Sequence, residues 1–312
     1  MKKTYLLILG ALLLIFQQYV QAIDTTTQFF IFIFGILLLG IPHGAADLLV
    51  ASKNADTESK QFSLYKFFSI YLGRLIMFAL TLWFFPVIGN LLFILFAAYH
   101  FGETDLHQFK TNTFLGKLFV LSYGLIILSV ILLHHFDDVK PIYILFESGK
   151  ENEALIDWIS LHRYQLLSFN GILFFTSTFV YFLQNNNSES NEKGVFLIRF
   201  AVIVFILFNL PMLLGFTFYF VVWHSVLSLT TIVNYLKSNN QFSNKKIIQQ
   251  ILLYSFLALL GTALCGLTGS MFINNNAIAG YVFLSLAVLT APHMQIMYSM
   301  YNNIRLKSNT NI

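Results

Sequence analysis

Charge is what this chain has least of. Of its 312 residues only 10% are Asp, Glu, Lys or Arg, where a soluble globular domain carries roughly a quarter. That shortfall, set against 57% apolar residues and a mean hydropathy of +0.72, excludes a water-soluble globule. The excess of base over acid is small, a formal +4, so nothing in the composition calls for a nucleic-acid partner. A single cysteine, Cys265, rules out an internal disulfide and reads as a small core residue. The chain also lacks short-period repeats, low-complexity linkers and any stretch polar enough for a soluble domain. Residues 1–312 are therefore read as one integral-membrane domain. Lipid cannot satisfy an open backbone, so its fold class is all-α, a polytopic transmembrane helical bundle.

What is present is a series of about ten apolar runs; Phe29 to Val50, for one, is long enough to cross a hydrocarbon core of about 30 Å. The first, Tyr5 to Phe16, follows Met1-Lys2-Lys3 and is either a span or, with Val20-Gln21-Ala22 resembling a cleavage site, a signal peptide over residues 1–22. The others run from Phe29 to Val50, Tyr65 to Phe85, Leu91 to Leu106, Leu115 to Leu133, Leu166 to Leu183, Val195 to Leu210, Phe216 to Leu236, Ile247 to Leu267 and Ile278 to Tyr301. That makes nine or ten spans. Lysines and arginines gather in alternate loops, which predicts cytoplasmic termini. The acidic segment 136–163 is read as the largest outer loop, and the uncharged stretch 268–277 as a turn. Arg74, inside the third run, either snorkels to the interface or pairs with a buried acid.

Four histidines interrupt these runs: His43, His100, His224 and His293. Ionisable groups inside a membrane are costly, and each is a functional-site hypothesis. All four sit in spans predicted to run the same way and at similar depth, so four imidazoles can converge on one centre. Imidazole is a natural ligand for intermediate metals such as iron, copper or zinc. Asp47 lies four residues after His43 and Glu103 three after His100, each on its histidine's helix face. Acids so placed orient a ligating ring by accepting its second N–H, although Glu103 is also close enough to bind metal itself. Asp105 is read as boundary solvation. Pro42 and Pro292 each precede a histidine and remove a helical N–H, which bends the span there. Gly40 and Gly44 are spaced as GxxxG, a signal for close helix approach. Tyr99, Phe101, Tyr219 and Trp223 flank the histidines and are candidates to line a tunnel for a long apolar substrate. His107, His134, His135 and His162 lie at span ends or in a loop and read as interfacial.

The segments Pro42-His-Gly-Ala-Ala-Asp47, Tyr99-His-Phe-Gly-Glu-Thr-Asp105, Trp223-His-Ser225 and Pro292-His-Met294 resemble, in order and over nearly the whole chain, the Brp/Blh family of membrane enzymes. Members cleave β-carotene at its central 15,15′ double bond to make retinal. The resemblance implies a non-haem Fe(2+) held by histidines, O2 as co-substrate, β-carotene drawn from the lipid bilayer, and a plasma-membrane location. A retinal-binding rhodopsin would be the natural product acceptor. In one place the chain departs from the family pattern. The third motif usually continues Trp-His-Ser-x-Arg-His, but here Leu227 and Ser228 stand in the last two positions. His293 must then complete the site, or the position stays open.

Two other classes fit membrane histidines. A haem or quinone protein uses them as axial ligands, and a proton-coupled transporter uses His–acid pairs as a relay. A di-iron desaturase is excluded, since the chain has no repeated HxxxH or HxxHH boxes.

Overall fold

The computed structural model describes residues 2–145, 150–185, 190–238, 243–270 and 278–310. It is 89% helical, with no strand among the described residues. In chain order the helices are α1 (Lys2–Ile15), α2 (Thr25–Gly35), α3 (Ile41–Ala45), α4 (Asp47–Thr57), α5 (Leu64–Phe84), α6 (Pro86–Asp105), α7 (Phe114–Leu132), α8 (Phe136–Leu145), α9 (Lys150–Gln184), α10 (Ser190–Asn209), α11 (Met212–Phe216), α12 (Ser225–Lys237), α13 (Asn244–Ser270) and α14 (Ile278–Thr310). Three π-helical stretches, Phe16–Val20, Ile36–Gly40 and Thr217–His224, continue or join them. Seven helical units among the described residues are long and apolar enough to cross a membrane. They include Lys2–Val20, the continuous unit Thr25–Thr57, and Met212–Lys237. The remaining expected spans correspond to α10, α13 and α14, with 20, 27 and 33 residues. Most of the stretch 268–277, and the side chain of Cys265, lie outside the described residues.

Helix starts follow local chemistry. Asp24, Ser63 and Thr113 sit in extended backbone and accept the N–H of Thr27, Lys66 and Gly116, capping α2, α5 and α7. Pro86 takes the first position of α6, where its missing N–H is not needed. Outward faces stay apolar: Trp83, Met77 and Phe84 on α5 are largely exposed, which in lipid is ordinary solvation.

Because lipid tails are as apolar as leucine, helix association rests on close packing. The tightest pair is α6 with α7. A Cβ on Gly102 would collide with the Val120 carbonyl, and one on Gly124 with the Ala98 carbonyl. At Gly40 and Gly44 there is no such approach: Gly44 has nothing within 4 Å, and Gly40 meets only its own Ile36. The GxxxG expectation is corrected accordingly. The main core joins α1, α6, α7, α9, α10 and the Thr217–His224 stretch, with Phe109, Phe119, Tyr181, Phe182 and Phe196 interlocked.

The expected outer loop 136–163 is mostly helix. No proline or glycine occurs between 150 and 170, so α9 extends to Lys150. Lys140–Asp157 at 2.8 Å and Arg163–Asp137 at 2.7 Å hold α8 against it. Arg74 is half-buried, and no carboxylate among the described residues pairs with it, which favours the snorkelling alternative.

Candidate metal centre

The four helical units that carry the histidines are tied together at their C-terminal ends. Asn54 of α4 accepts from Tyr235 of α12 at 2.7 Å and from Asn303 of α14 at 3.2 Å. Tyr301 of α14 donates to Thr104 of α6 at 3.3 Å. His43, His224 and His293 lie eleven, eleven and ten residues before Asn54, Tyr235 and Asn303. At about 1.5 Å per residue, this layer of tethers places those three imidazoles in a common layer about three turns away, while His100 lies one turn before Thr104.

They do meet there. Ring centroids lie 4.4 Å apart for His43–His293, 4.8 Å for His100–His224, 5.1 Å for His100–His293 and 5.3 Å for His43–His224. None of the four residues is more than 7% exposed. One nitrogen from each of His43, His100 and His224 falls within 4.8 Å of the others. Both ring nitrogens of His43 and His100, Nδ1 of His224 and Nε2 of His293 are buried without a hydrogen-bond partner. Each such orphan costs about 1–3 kcal/mol if left alone, and a shared cation would satisfy one nitrogen on each of the four adjacent rings. The donor set, neutral imidazole in a dry apolar shell, fits an intermediate metal. Four of the ring pairs pack edge to face, and His43 and His100 lie nearly parallel with centroids 6.2 Å apart.

Local backbone explains how the rings turn inwards. Pro42 has no N–H for Leu38, and the helix widens just before it, with Ile41 N–H bonding back to Ile36. Another widened stretch, Thr217–His224, ends on His224 itself, closed by the Ser225 hydroxyl on the Phe220 carbonyl at 2.9 Å. Pro292 sits within α14 immediately before His293.

The acids are not where helical spacing puts them. α3 ends at Ala45 and α4 starts afresh at Asp47, so the four-residue register with His43 is lost. Asp47 instead accepts from His293 Nδ1 at 2.7 Å, and from the Tyr71 hydroxyl of α5 at 3.1 Å. A carboxylate only accepts, so Nδ1 of His293 carries the hydrogen and Nε2 presents its lone pair to the centre. Glu103 turns from His100 to Arg305 of α14, in a buried ion pair that Thr111 extends through a 2.6 Å bond from Arg305.

Asp105 reverses its expected role. It is buried and receives Tyr123 at 2.6 Å, Tyr219 at 3.1 Å and Trp223 Nε1 at 2.9 Å. Nothing in the local sequence announces this, because those donors lie 18, 114 and 118 residues away. Tyr219 and Trp223 are thus fully buried with their polar ends committed to Asp105. Phe101 packs 4.7 Å from the His224 ring, and Tyr99 is half-buried beside Tyr298 at 6.1 Å. Ser228 is buried one turn beyond His224, and it is the ring of His293 that joins the other three. Among the other histidines, His107 and His162 bond backbone carbonyls at 2.8 Å, and His134 stacks on Phe208.

No curated protein and no solved structure matches the chain. A family model described as Beta-carotene 15,15'-dioxygenase matches residues 34–301, a span that holds all four histidines. The chain belongs to the β-carotene 15,15′-dioxygenase family.

Proposed function

We propose that this protein cleaves β-carotene at its central 15,15′ double bond, using O2 and a ferrous ion held by His43, His100, His224 and His293, to give two molecules of retinal. The observation that carries the reading is the set of six orphaned ring nitrogens on four buried imidazoles in contact. What iron supplies there is activation of O2 beside the substrate's double bond.

The chain's own residues supply the rest. Neutral imidazoles leave the cation its full charge, and four of them leave positions open for a co-substrate. Asp47 fixes the His293 tautomer that faces the centre. Phe101, packed on the His224 ring, and Tyr99, beside Tyr298, flank His100 on α6 and line the approach of an apolar polyene. Tyr219 and Trp223 close the site behind His224 and exclude water. Glu103 acts on the fold through Arg305. A carotenoid dissolved in the bilayer enters sideways between helices of the plasma membrane, and a retinal-binding rhodopsin in that membrane takes the product. With the basic loops inside, both termini are cytoplasmic.

The test is product analysis of the purified chain in detergent with β-carotene, under air and under nitrogen, before and after chelation and iron return. Retinal should form only with oxygen and iron. Retinal made equally well without oxygen, or asymmetric apocarotenals in its place, would overturn the proposal.

A further inference from the structure

We infer that Asp105 is a positioning residue: through Trp223 and Tyr219 it fixes the widened turn that presents His224 to the metal. This rests on the metal reading above and adds a residue to it.

The argument begins with the turn. A π-helical stretch is an uncommon conformation that seldom persists without support, and it is frequent at functional sites. Thr217–His224 is eight residues of it. Its own hydrogen bonds to neighbouring backbone, Thr217 to Leu213 at 2.6 Å and Ser225 to Phe220 at 2.9 Å, brace its two ends. The tether between them is external. Tyr219 and Trp223, one turn apart, both aim at one carboxylate: the Tyr219 hydroxyl at Oδ2, the indole N–H shared between Oδ1 and Oδ2 at 2.9 and 3.0 Å.

That carboxylate belongs to α6, the helix that carries His100 five residues earlier. Two adjacent residues of the widened turn therefore face two points on one helix. Trp223 meets Asp105 by a hydrogen bond, and His224 meets His100 with ring centroids 4.8 Å apart. A rotation of the turn that broke the first contact would displace the second. Tyr123 of α7 adds a third donor at 2.6 Å, and α7 is locked to α6 at Gly102 and Gly124, so the acceptor itself cannot drift. Lys3 and Arg199 border a cavity of about 20 Å³ that Asp105, Tyr123 and Trp223 also line, and Lys3 donates to the backbone carbonyl of Asp105 at 3.1 Å.

Hydrogen-bonded supports of metal ligands typically affect metal affinity 10–100-fold. The experiment titrates cobalt(II) into the full chain in detergent and reads affinity, the visible ligand-field spectrum and the thermal midpoint of the metal-free protein. Tyr219→Phe and Trp223→Phe each remove one donor and keep a ring, and Asp105→Asn weakens the acceptor. Tyr181→Phe, which removes a buried hydroxyl from the Lys110 carbonyl in the α6–α7–α9 core, away from the histidine tethers, is the control. All three site variants should bind cobalt about 10–100-fold more weakly with an altered spectrum. Asp105→Asn combined with Trp223→Phe should be little weaker than Asp105→Asn alone, since the acceptor change already weakens the bond that the indole makes. The control should lower only the midpoint. Should Asp105→Asn fail to fold, the two donor variants decide the matter. Wild-type affinity and spectrum in both donor variants would overturn this inference and leave the metal reading standing. A wild-type chain that binds no cobalt would overturn both.

Discussion

Asp47 and His293, 246 residues apart in the chain, are joined by a 2.7 Å hydrogen bond inside the bundle, and His43, four residues before Asp47, has no part in it. The bond links the first histidine motif to the last one. Replacing Asp47 by Asn removes the pure acceptor and frees His293 to rotate or change tautomer. Iron affinity should fall by roughly 10–100-fold with the fold retained, measured by anaerobic titration. Unchanged affinity would show that the bond is structural only.

His293→Ala tests the ring itself. With Ser228 one turn after His224, no imidazole is available there to complete a fourth position. Bound iron per chain and retinal formation should both drop steeply. His107→Ala, at the end of α6 with its ring on a backbone carbonyl, should leave iron content at the wild-type level. Normal iron and turnover in His293→Ala would reduce the centre to three histidines.

Glu103 leads to a different prediction. Its carboxylate is bound to Arg305 and almost fully buried, so removing one partner leaves an uncompensated charge in a dry site. Glu103→Gln or Arg305→Met should each destabilise by about 3–5 kcal/mol, while Glu103→Leu with Arg305→Met should recover most of that loss. Thermal unfolding of the metal-free chain in detergent reads this. If the double variant is no better than the singles, the pair's geometry and not its charge is what matters.

How much of this was legible from residues alone follows from the range of the interactions. Spans are local and apolar, so α5, α6, α7 and the unit around His43 emerge within a few residues of their expected bounds. The four histidines were legible as a group because each interrupts an apolar run and each run has the same predicted sense. Their acids were not. Helical spacing assigns Asp47 to His43, but the fresh helix start after Ala46 breaks that register, and Glu103 yields to the charge of Arg305. Asp105 reads as boundary solvation in the sequence because its donors come from two other segments, α7 and Thr217–His224. The acidic stretch 136–163 reads as loop by charge, yet it holds α8 and the start of α9, whose Phe136, Val139 and Ile156 are buried.

The last prediction separates two kinds of glycine. Gly44 belongs to the histidine motif and to a GxxxG spacing, which makes it look like a helix contact. Gly124 belongs to no motif. The structure ranks them the other way: a Cβ at Gly44 meets nothing within 4 Å, and one at Gly124 runs into the backbone of Ala98. Backbone cannot rotate aside as a side chain does, so α6 and α7 would have to separate. α6 carries both His100 and Asp105, and their separation from the Thr217–His224 turn would change with it. Gly124→Ala should therefore destabilise by about 1–3 kcal/mol or more and also lower iron content. Gly44→Ala should fold with the wild-type midpoint, gaining if anything from a better helix former. Thermal midpoint and iron per chain for the two variants side by side are the measurement. Equal tolerance of both would mean that α6 and α7 do not pack at backbone distance.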